Sequence, residues 1–173
     1  MASYYDQGLS RRPSRMPHRR AGTLVVLGGI FLLFHASAAL TQGNDRVEFP
    51  QDYQRGIHYT TVERGGIREE LFANREAIMA AKQGIPLPSG SVITMEDYRD
   101  GRLFRYIVME KRSGWGERYP ETLRNGDWEF QSFQPDRTVN RHESVSRCMS
   151  CHKAQSTHDF LFTLDQMKSV KLD

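Results

Sequence analysis

Cysteines, long hydrophobic runs and an excess of charge of one sign are all scarce in this sequence of 173 residues. Two cysteines are too few for a disulfide scaffold. The most hydrophobic stretch, residues 21–34, is shorter than the roughly twenty apolar residues that a membrane-spanning helix needs. With 38% hydrophobic and 26% charged residues, the composition is that of a globular protein and excludes a polytopic membrane protein, a coiled coil or a disordered chain.

The basic character of the chain is confined to its N-terminus. Residues 1–38 contain five arginines and one acidic residue, Asp6, so the remainder carries 19 basic and 20 acidic residues. A body this close to neutral offers no basic patch for nucleic acid or anionic lipid. We therefore expect no nucleic-acid partner.

The N-terminal arginines are followed by the hydrophobic stretch and then by Ala36-Ser37-Ala38. A basic region, a short apolar region and a small-residue cleavage site together predict a secretory signal peptide over residues 1–38, cleaved after Ala38. The alternative is an uncleaved anchor that holds the protein at the membrane. Both interpretations predict a periplasmic protein, in which a close pair of cysteines forms a disulfide, a metal site or a cofactor attachment.

Cys148, Cys151 and His152 form a C-x-x-C-H sequence. In this motif two thiols attach haem covalently through its vinyl groups, and the histidine ligates the iron. A zinc site would need further ligands, but the chain has no other cysteine and no H-x-x-x-H sequence. A thioredoxin-like redox pair would open a helix in a βαβ unit, whereas this pair lies near the C-terminus. The motif predicts one haem c, bound through Cys148 and Cys151 with His152 as the proximal ligand.

The region before this motif predicts mostly β-structure. Residues 75–83 form the one clear helical pattern, with Asn74 as its cap and Gly84 at its end. We therefore predict a mainly β fold with one or two helices, a small antiparallel sheet or sandwich that spans residues 45–167 and carries the haem-attachment segment at its C-terminal end. Residues 168–173 are expected to be a fraying tail.

A β-hairpin is predicted around Asp100-Gly101, a dipeptide that favours a type I′ turn. Its strands are residues 91–99 and 102–111, and residues 128–133 alternate as a further strand. A two-residue turn with regular pairing matches Met95 with Tyr106, Ile93 with Val108, and Glu96 with Arg105. In this register Met95 and Tyr106 share one face, and the Glu96–Arg105 ion pair lies on the other.

Five segments of the sequence carry a resemblance to a known family. They are Phe49-Pro50-x-Asp52-Tyr53, Pro88-Ser89-Gly90-Ser91-Val92, Trp128-x-Phe130, Cys148-Met149-Ser150-Cys151-His152-Lys153 and Asp159-Phe160-Leu161-Phe162-Thr163. On these segments the chain resembles the cytochrome P-460 family of exported monohaem proteins, which includes hydroxylamine-oxidising members and the β-sheet cytochromes called cytochrome c prime beta. The resemblance implies that Cys148 and Cys151 hold the haem and that His152 ligates its iron.

The sequence departs from the enzymatic members of this family at one position. In those members a lysine in the strand after the Pro-x-Gly opening is cross-linked to the haem, and the matching residue here is Met95. If the hairpin face with Met95 and Tyr106 looks at the haem, the distal wall comprises these two residues with Ile93, Val108 and Phe104. The alternative is that they are core residues. A methionine at this position could pack, ligate the iron or cover a vacant coordination site.

Three functions remain open at this point. The first is binding of a diatomic ligand, nitric oxide or carbon monoxide, at a five-coordinate iron that faces an apolar pocket. The second is oxidation of hydroxylamine or a related nitrogen compound. The third is electron transfer with a redox partner cytochrome, in which Met95 or Met109 completes a six-coordinate iron. An exposed strand or an apolar sheet face would favour a homodimer.

Overall fold

The computed structural model describes residues 46–172. The signal peptide predicted for residues 1–38 lies outside the described residues. Within residues 46–172, no helix combines the length and the apolar character needed to cross a membrane.

Five antiparallel strands form one sheet in which the spatial order follows the chain order. The strands are β1 (Ile57–Arg64), β2 (Ile67–Ala73), β3 (Val92–Arg99), β4 (Arg102–Lys111) and β5 (Trp128–Phe133). The β1–β2 turn at Gly65-Gly66 and the β3–β4 turn at Asp100-Gly101 have positive φ at both central residues. A type I′ turn requires positive φ at both of its central residues. The prediction of a mainly β, antiparallel fold is confirmed.

Three α-helices accompany the sheet: α1 (Arg75–Gln83), α2 (Val145–Lys153) and α3 (Leu164–Ser169). The predicted bounds of α1 are confirmed, and Gly84 ends it in the left-handed conformation with φ of 68°. Asn74 does not cap α1 through its side chain. Its Oδ1 instead accepts a hydrogen bond from the amide of Val92 at 2.9 Å, so Asn74 ties the start of the helix to β3.

The predicted register of the β3–β4 hairpin was wrong by one residue. The turn pairs Arg99 with Arg102 and Tyr98 with Leu103, as a two-residue turn should, but the register then shifts between Asp97 and Tyr98. Phe104 is the extra residue, and beyond it Met95 pairs with Ile107 rather than Tyr106. A bulge of this kind reverses which side chains share a face, because strand residues alternate between the two faces.

The two faces of the sheet carry separate hydrophobic clusters. The face toward the helices carries a larger cluster that includes Ile93, Met109, Trp128, Phe130 and Met149. The opposite face carries a smaller cluster of Val47, Phe49, Tyr53, Tyr106, Val108 and Phe133. Tyr106 and Val108 therefore lie on the opposite side of the sheet from Met95, and their predicted place on a wall with Met95 was wrong.

The C-terminal end packs against α1 and does not form the fraying tail that was predicted. Met167 in α3 is fully buried, and Val170 and Leu172 pack against the larger cluster. Nζ of Lys82 donates hydrogen bonds to the carbonyls of Lys168 at 3.3 Å and Val170 at 2.6 Å. The last helix thus closes one end of the hydrophobic core.

Candidate functional site

A cavity of about 1100 Å³ lies on the helix-covered side of the sheet. This volume is slightly above the range of about 300–1,000 Å³ that is usual for small-molecule and cofactor pockets. The cavity is lined by Cys148, Cys151 and His152, the three residues of the predicted attachment motif, together with strand residues of β1 to β4. The structure therefore brings the motif to the wall of a space large enough for a sizeable cofactor.

Helix α2 presents the three motif residues to the cavity. Cys148 and Cys151 are one helical turn apart, and His152 follows directly, so all three lie on neighbouring parts of the helix surface. Val145 and Met149, on the buried side of the helix, anchor it in the hydrophobic core. Both cysteines are free thiols, and burial raises the pKa of Cys148.

The imidazole of His152 is held in one orientation. Its Nδ1 lies 2.7 Å from the carbonyl oxygen of Phe160, to which it donates a hydrogen bond when neutral. Burial lowers the pKa of His152, although the bond to Phe160 opposes this shift. Phe130 and Phe162 pack edge-on against the ring. A neutral imidazole with Nδ1 engaged leaves Nε2 as the metal-binding nitrogen.

Most of the wall that β3 and β4 contribute is apolar, apart from Arg99 and Arg105. Ile93 and Met95 of β3 and Ile107 and Met109 of β4 line the cavity, as does Phe104 at the bulge. Ile93, Met95 and Phe104, which the sequence predicts at a distal wall, line this cavity, and Ile107 and Met109 line it in place of Tyr106 and Val108. No lysine of the described residues lines the cavity.

Part of the cavity wall is charged, and a buried carboxylate holds its two arginines in place. Asp97 is fully buried and accepts hydrogen bonds from Arg99, at 2.8 and 2.9 Å, and from Nε of Arg105 at 2.9 Å. Arg105 also donates a hydrogen bond to Glu143, just before α2. Arg105 therefore pairs with Asp97 and Glu143, and the predicted Glu96–Arg105 pair was wrong. Glu96 points to the other face, where Tyr53 and Tyr98 donate hydrogen bonds to it.

Two contributions to the cavity were not predicted from the sequence, that of the first hairpin and that of the segment just before α3. Tyr59 of β1 and Leu71 of β2 line the cavity, and the hydroxyls of Tyr59 and Thr163 are 2.8 Å apart. The Gly65-Gly66 dipeptide between two alternating runs was a signal for this hairpin. Nothing local in the sequence identifies the carbonyl of Phe160 as the partner of His152.

The residues around the cavity fit a covalently bound haem in their chemistry. Two free thiols, a neutral imidazole and an apolar wall are the groups that such a cofactor uses. Within residues 46–172, no three histidine, cysteine, aspartate or glutamate side chains come together as a cluster that could hold a metal ion.

Comparison with known proteins agrees with this chemistry. The family described as Cytochrome P460 matches residues 50–163, about two thirds of the chain, which include all five strands and the C-x-x-C-H sequence. A search of curated proteins gives no match. Because the family match covers most of the chain, the protein belongs to the cytochrome P460 family and is a haem protein.

Proposed function

We propose that this protein is an exported monohaem cytochrome that binds a neutral diatomic ligand, nitric oxide or carbon monoxide, at its haem iron. Cys148 and Cys151 attach the haem, and His152 is the proximal ligand. The observation that carries the proposal is the apolar part of the cavity wall on β3 and β4, which is formed by Ile93, Met95, Ile107 and Met109.

The proximal side depends on the neutral state of His152. Burial keeps a proton off the imidazole, and the carbonyl of Phe160 holds the remaining proton on Nδ1. Nε2 is then available to the iron without a prior deprotonation. When haem is bound, its iron supplies the coordination site for the diatomic ligand.

The ligand side depends on the lack of hydrogen-bond donors on the apolar part of the strand wall. Bound dioxygen is stabilised by a distal donor, whereas nitric oxide and carbon monoxide bind without one. Isoleucine and methionine side chains have no N–H or O–H group to offer. Ile93, Ile107 and the two methionines therefore favour neutral diatomics and exclude water from the wall.

The two methionines favour a second candidate function, electron transfer. Met95 and Met109 both line the cavity, and a thioether can serve as a sixth ligand that raises the reduction potential. In that case the protein exchanges electrons with a partner cytochrome and does not bind a diatomic ligand. Hydroxylamine oxidation has less support, because Met95 occupies the position of the cross-linking lysine.

The absorption spectrum of the full chain, exported from a host that attaches haem, tests these alternatives. We expect a high-spin ferrous spectrum whose Soret band shifts and sharpens when carbon monoxide or nitric oxide is added. A low-spin ferrous spectrum that does not respond to either gas would overturn ligand binding in favour of electron transfer. Turnover of hydroxylamine with an artificial acceptor would instead support the enzymatic alternative.

Covalent attachment and export are tested in the same preparation. We expect the purified protein to keep its haem after denaturation, with a mass equal to the chain from residue 39 plus one haem. The Cys148→Ala, Cys151→Ala double variant should lose haem on denaturation. Recovery of the wild-type protein from the cytoplasm, with residues 1–38 intact and haem extractable by acid and solvent, would contradict this part of the proposal.

A further inference from the structure

Asp159 lies at a junction between three parts of the protein. Its carboxylate accepts hydrogen bonds from Nζ of Lys111, at 2.8 Å to each oxygen, and from Nε1 of Trp128 at 3.2 Å. The backbone amide of Leu87 is the third donor, at 3.0 Å. Lys111 is in β4, Trp128 is in β5 and Leu87 follows α1, so Asp159 is fixed to the sheet and to the helix layer together.

Asp159 also begins an unusual stretch of backbone. Asp159 and Phe160 are consecutive non-glycine residues in the left-handed region, with φ of 51° and 62°. This conformation costs about 1–3 kcal/mol for each non-glycine residue, and it is kept only where the surrounding structure imposes it. Here the imposed conformation directs the carbonyl of Phe160 at Nδ1 of His152, at 2.7 Å. The amide of Phe160 is fixed as well, because it donates to the carbonyl of Gln155 at 2.8 Å.

We infer that Asp159 is a positioning residue that sets the donor strength of His152 toward the haem iron. It acts through the carbonyl of Phe160, which it holds in place for the hydrogen bond to Nδ1. This inference rests on the proposed role of His152 as the proximal ligand. A stronger hydrogen bond at Nδ1 makes Nε2 a better electron donor, which favours ferric over ferrous iron. The intact junction therefore lowers the reduction potential.

The test uses two variants of the haem-loaded full chain that change local charge in opposite directions. Asp159→Asn removes a negative charge, and Lys111→Met removes a positive charge. Through charge alone, the first would raise and the second would lower the reduction potential. If the two substitutions act by loosening the carbonyl of Phe160, each of them raises the reduction potential. Each also lowers the iron–histidine stretching frequency in the resonance Raman spectrum of the ferrous protein.

An exposed ion pair on α3 provides matched controls. Lys168 and Asp165 form an ion pair at 2.9 Å in which the lysine side chain is 43% and the aspartate side chain 77% exposed, and neither contacts His152. Asp165→Asn and Lys168→Met should leave the iron–histidine frequency unchanged. The inference would be overturned if Lys111→Met lowered the reduction potential and if neither Asp159→Asn nor Lys111→Met changed the iron–histidine frequency.

A third variant changes no charge. Trp128→Phe removes the Nε1 donor to Asp159 together with part of a buried ring, so its potential should rise and its iron–histidine frequency should fall. An unchanged potential and frequency in a folded Trp128→Phe protein would count against the inference. A wild-type protein without any iron–histidine band would instead refute the five-coordinate site, and the sign of the Lys111→Met potential shift would still decide the role of Asp159.

Discussion

The ring of Phe130 meets the ring of His152 edge-on, with centroids 4.9 Å apart and planes inclined by 60°. Phe162 meets the same imidazole at the same centroid distance, with planes inclined by 79°. The two phenylalanines differ in exposure, since Phe130 is 1% exposed and Phe162 is 56% exposed. One contact is therefore part of the hydrophobic core, and the other lies at the surface of the protein.

Alanine substitution should separate these two contacts. Phe130→Ala removes a core side chain of β5, so it should lower the free energy of unfolding by about 3–5 kcal/mol. Phe162→Ala removes a ring that lies outside the sheet at the cavity wall, and it should cost less than Phe130→Ala. Denaturant titration of the haem-loaded proteins measures both values. Equal losses in the two variants would show that the loop carrying Phe162 is as much a part of the core as β5.

The sequence predicts those parts of the fold that local signals determine. The helix over residues 75–83, the Asp100-Gly101 turn and the strand over residues 128–133 all depend on neighbouring residues, and all three are confirmed. The register of β3 and β4 could not be predicted in this way. At the bulge, the guanidinium groups of Arg99 and Arg105 lie near the Phe104 ring, and no dipeptide in the sequence predicts this arrangement.

The residues of the candidate site also divide into those that local sequence predicts and those that it does not. Cys148, Cys151 and His152 are contiguous in sequence, so their spacing alone indicates their chemistry. The wall that faces the cavity depends on the register, and the one-residue error exchanged Tyr106 for Ile107. Contacts between residues distant along the chain, such as that between Lys111 and Asp159, appear only in the folded protein.

Filling the cavity at Met95 should weaken ligand binding. Met95→Trp places a larger side chain on the strand wall, and overpacking of this kind costs about 1–3 kcal/mol. We expect the carbon monoxide affinity of the ferrous protein to fall about tenfold or more. Thr94→Val is the matched control, because Thr94 is the adjacent residue on the opposite face of β3 and is absent from the cavity wall.

Met95→Leu distinguishes a packing role from an iron ligand at the same position. Leucine is close to methionine in volume but cannot ligate iron, so the spin state of the ferrous protein should remain unchanged. Conversion from a low-spin to a high-spin spectrum in Met95→Leu would identify Met95 as a sixth ligand. Carbon monoxide titration and absorption spectra of the three variants provide both measurements.

Glu129 should make the stability of the protein depend on pH. Its carboxylate is fully buried in β5, and both oxygens lack a hydrogen-bond partner. Burial raises the pKa of Glu129 to about 7, although Arg118 and Arg46, each 3.8 Å away, oppose the shift. The cross-strand neighbour Glu110 contributes to the increase.

The direction of this pH dependence follows from proton binding. Between about pH 4.5, the ordinary pKa of a glutamate, and about pH 7, the unfolded chain releases the proton of Glu129 while the native protein retains it. The free energy of unfolding therefore falls across this range, by roughly 3 kcal/mol because one pKa unit corresponds to about 1.4 kcal/mol. Above about pH 7 the free energy of unfolding remains lower by this full amount.

Glu129→Gln should remove this penalty. We expect the stability of the variant relative to the wild type to be higher at pH 8 than at pH 5, as measured by denaturant titration at each pH. Glu48→Gln is the control, because Glu48 is exposed, and its relative stability should be the same at both values. A Glu129→Gln effect that is identical at pH 5 and pH 8 would contradict the raised pKa.

Gly126 should be sensitive to any side chain because two constraints meet there. Its φ is +56°, and a Cβ atom would come within 3.0 Å of the Phe160 ring. Gly65 has a similar φ of +54° but nothing within 4 Å of the corresponding position. Alanine at Gly65 therefore reports the cost of the left-handed backbone alone, about 1–2 kcal/mol.

Gly126→Ala should cost more than Gly65→Ala, because it also displaces Phe160. Since the carbonyl of Phe160 accepts the hydrogen bond from Nδ1 of His152, the displacement should lower the iron–histidine stretching frequency and raise the reduction potential. Gly65→Ala should change neither quantity. Denaturant titration and resonance Raman spectra of the two variants separate the effects, and an unchanged frequency in Gly126→Ala would show that the 159–160 segment absorbs the displacement without moving the carbonyl of Phe160.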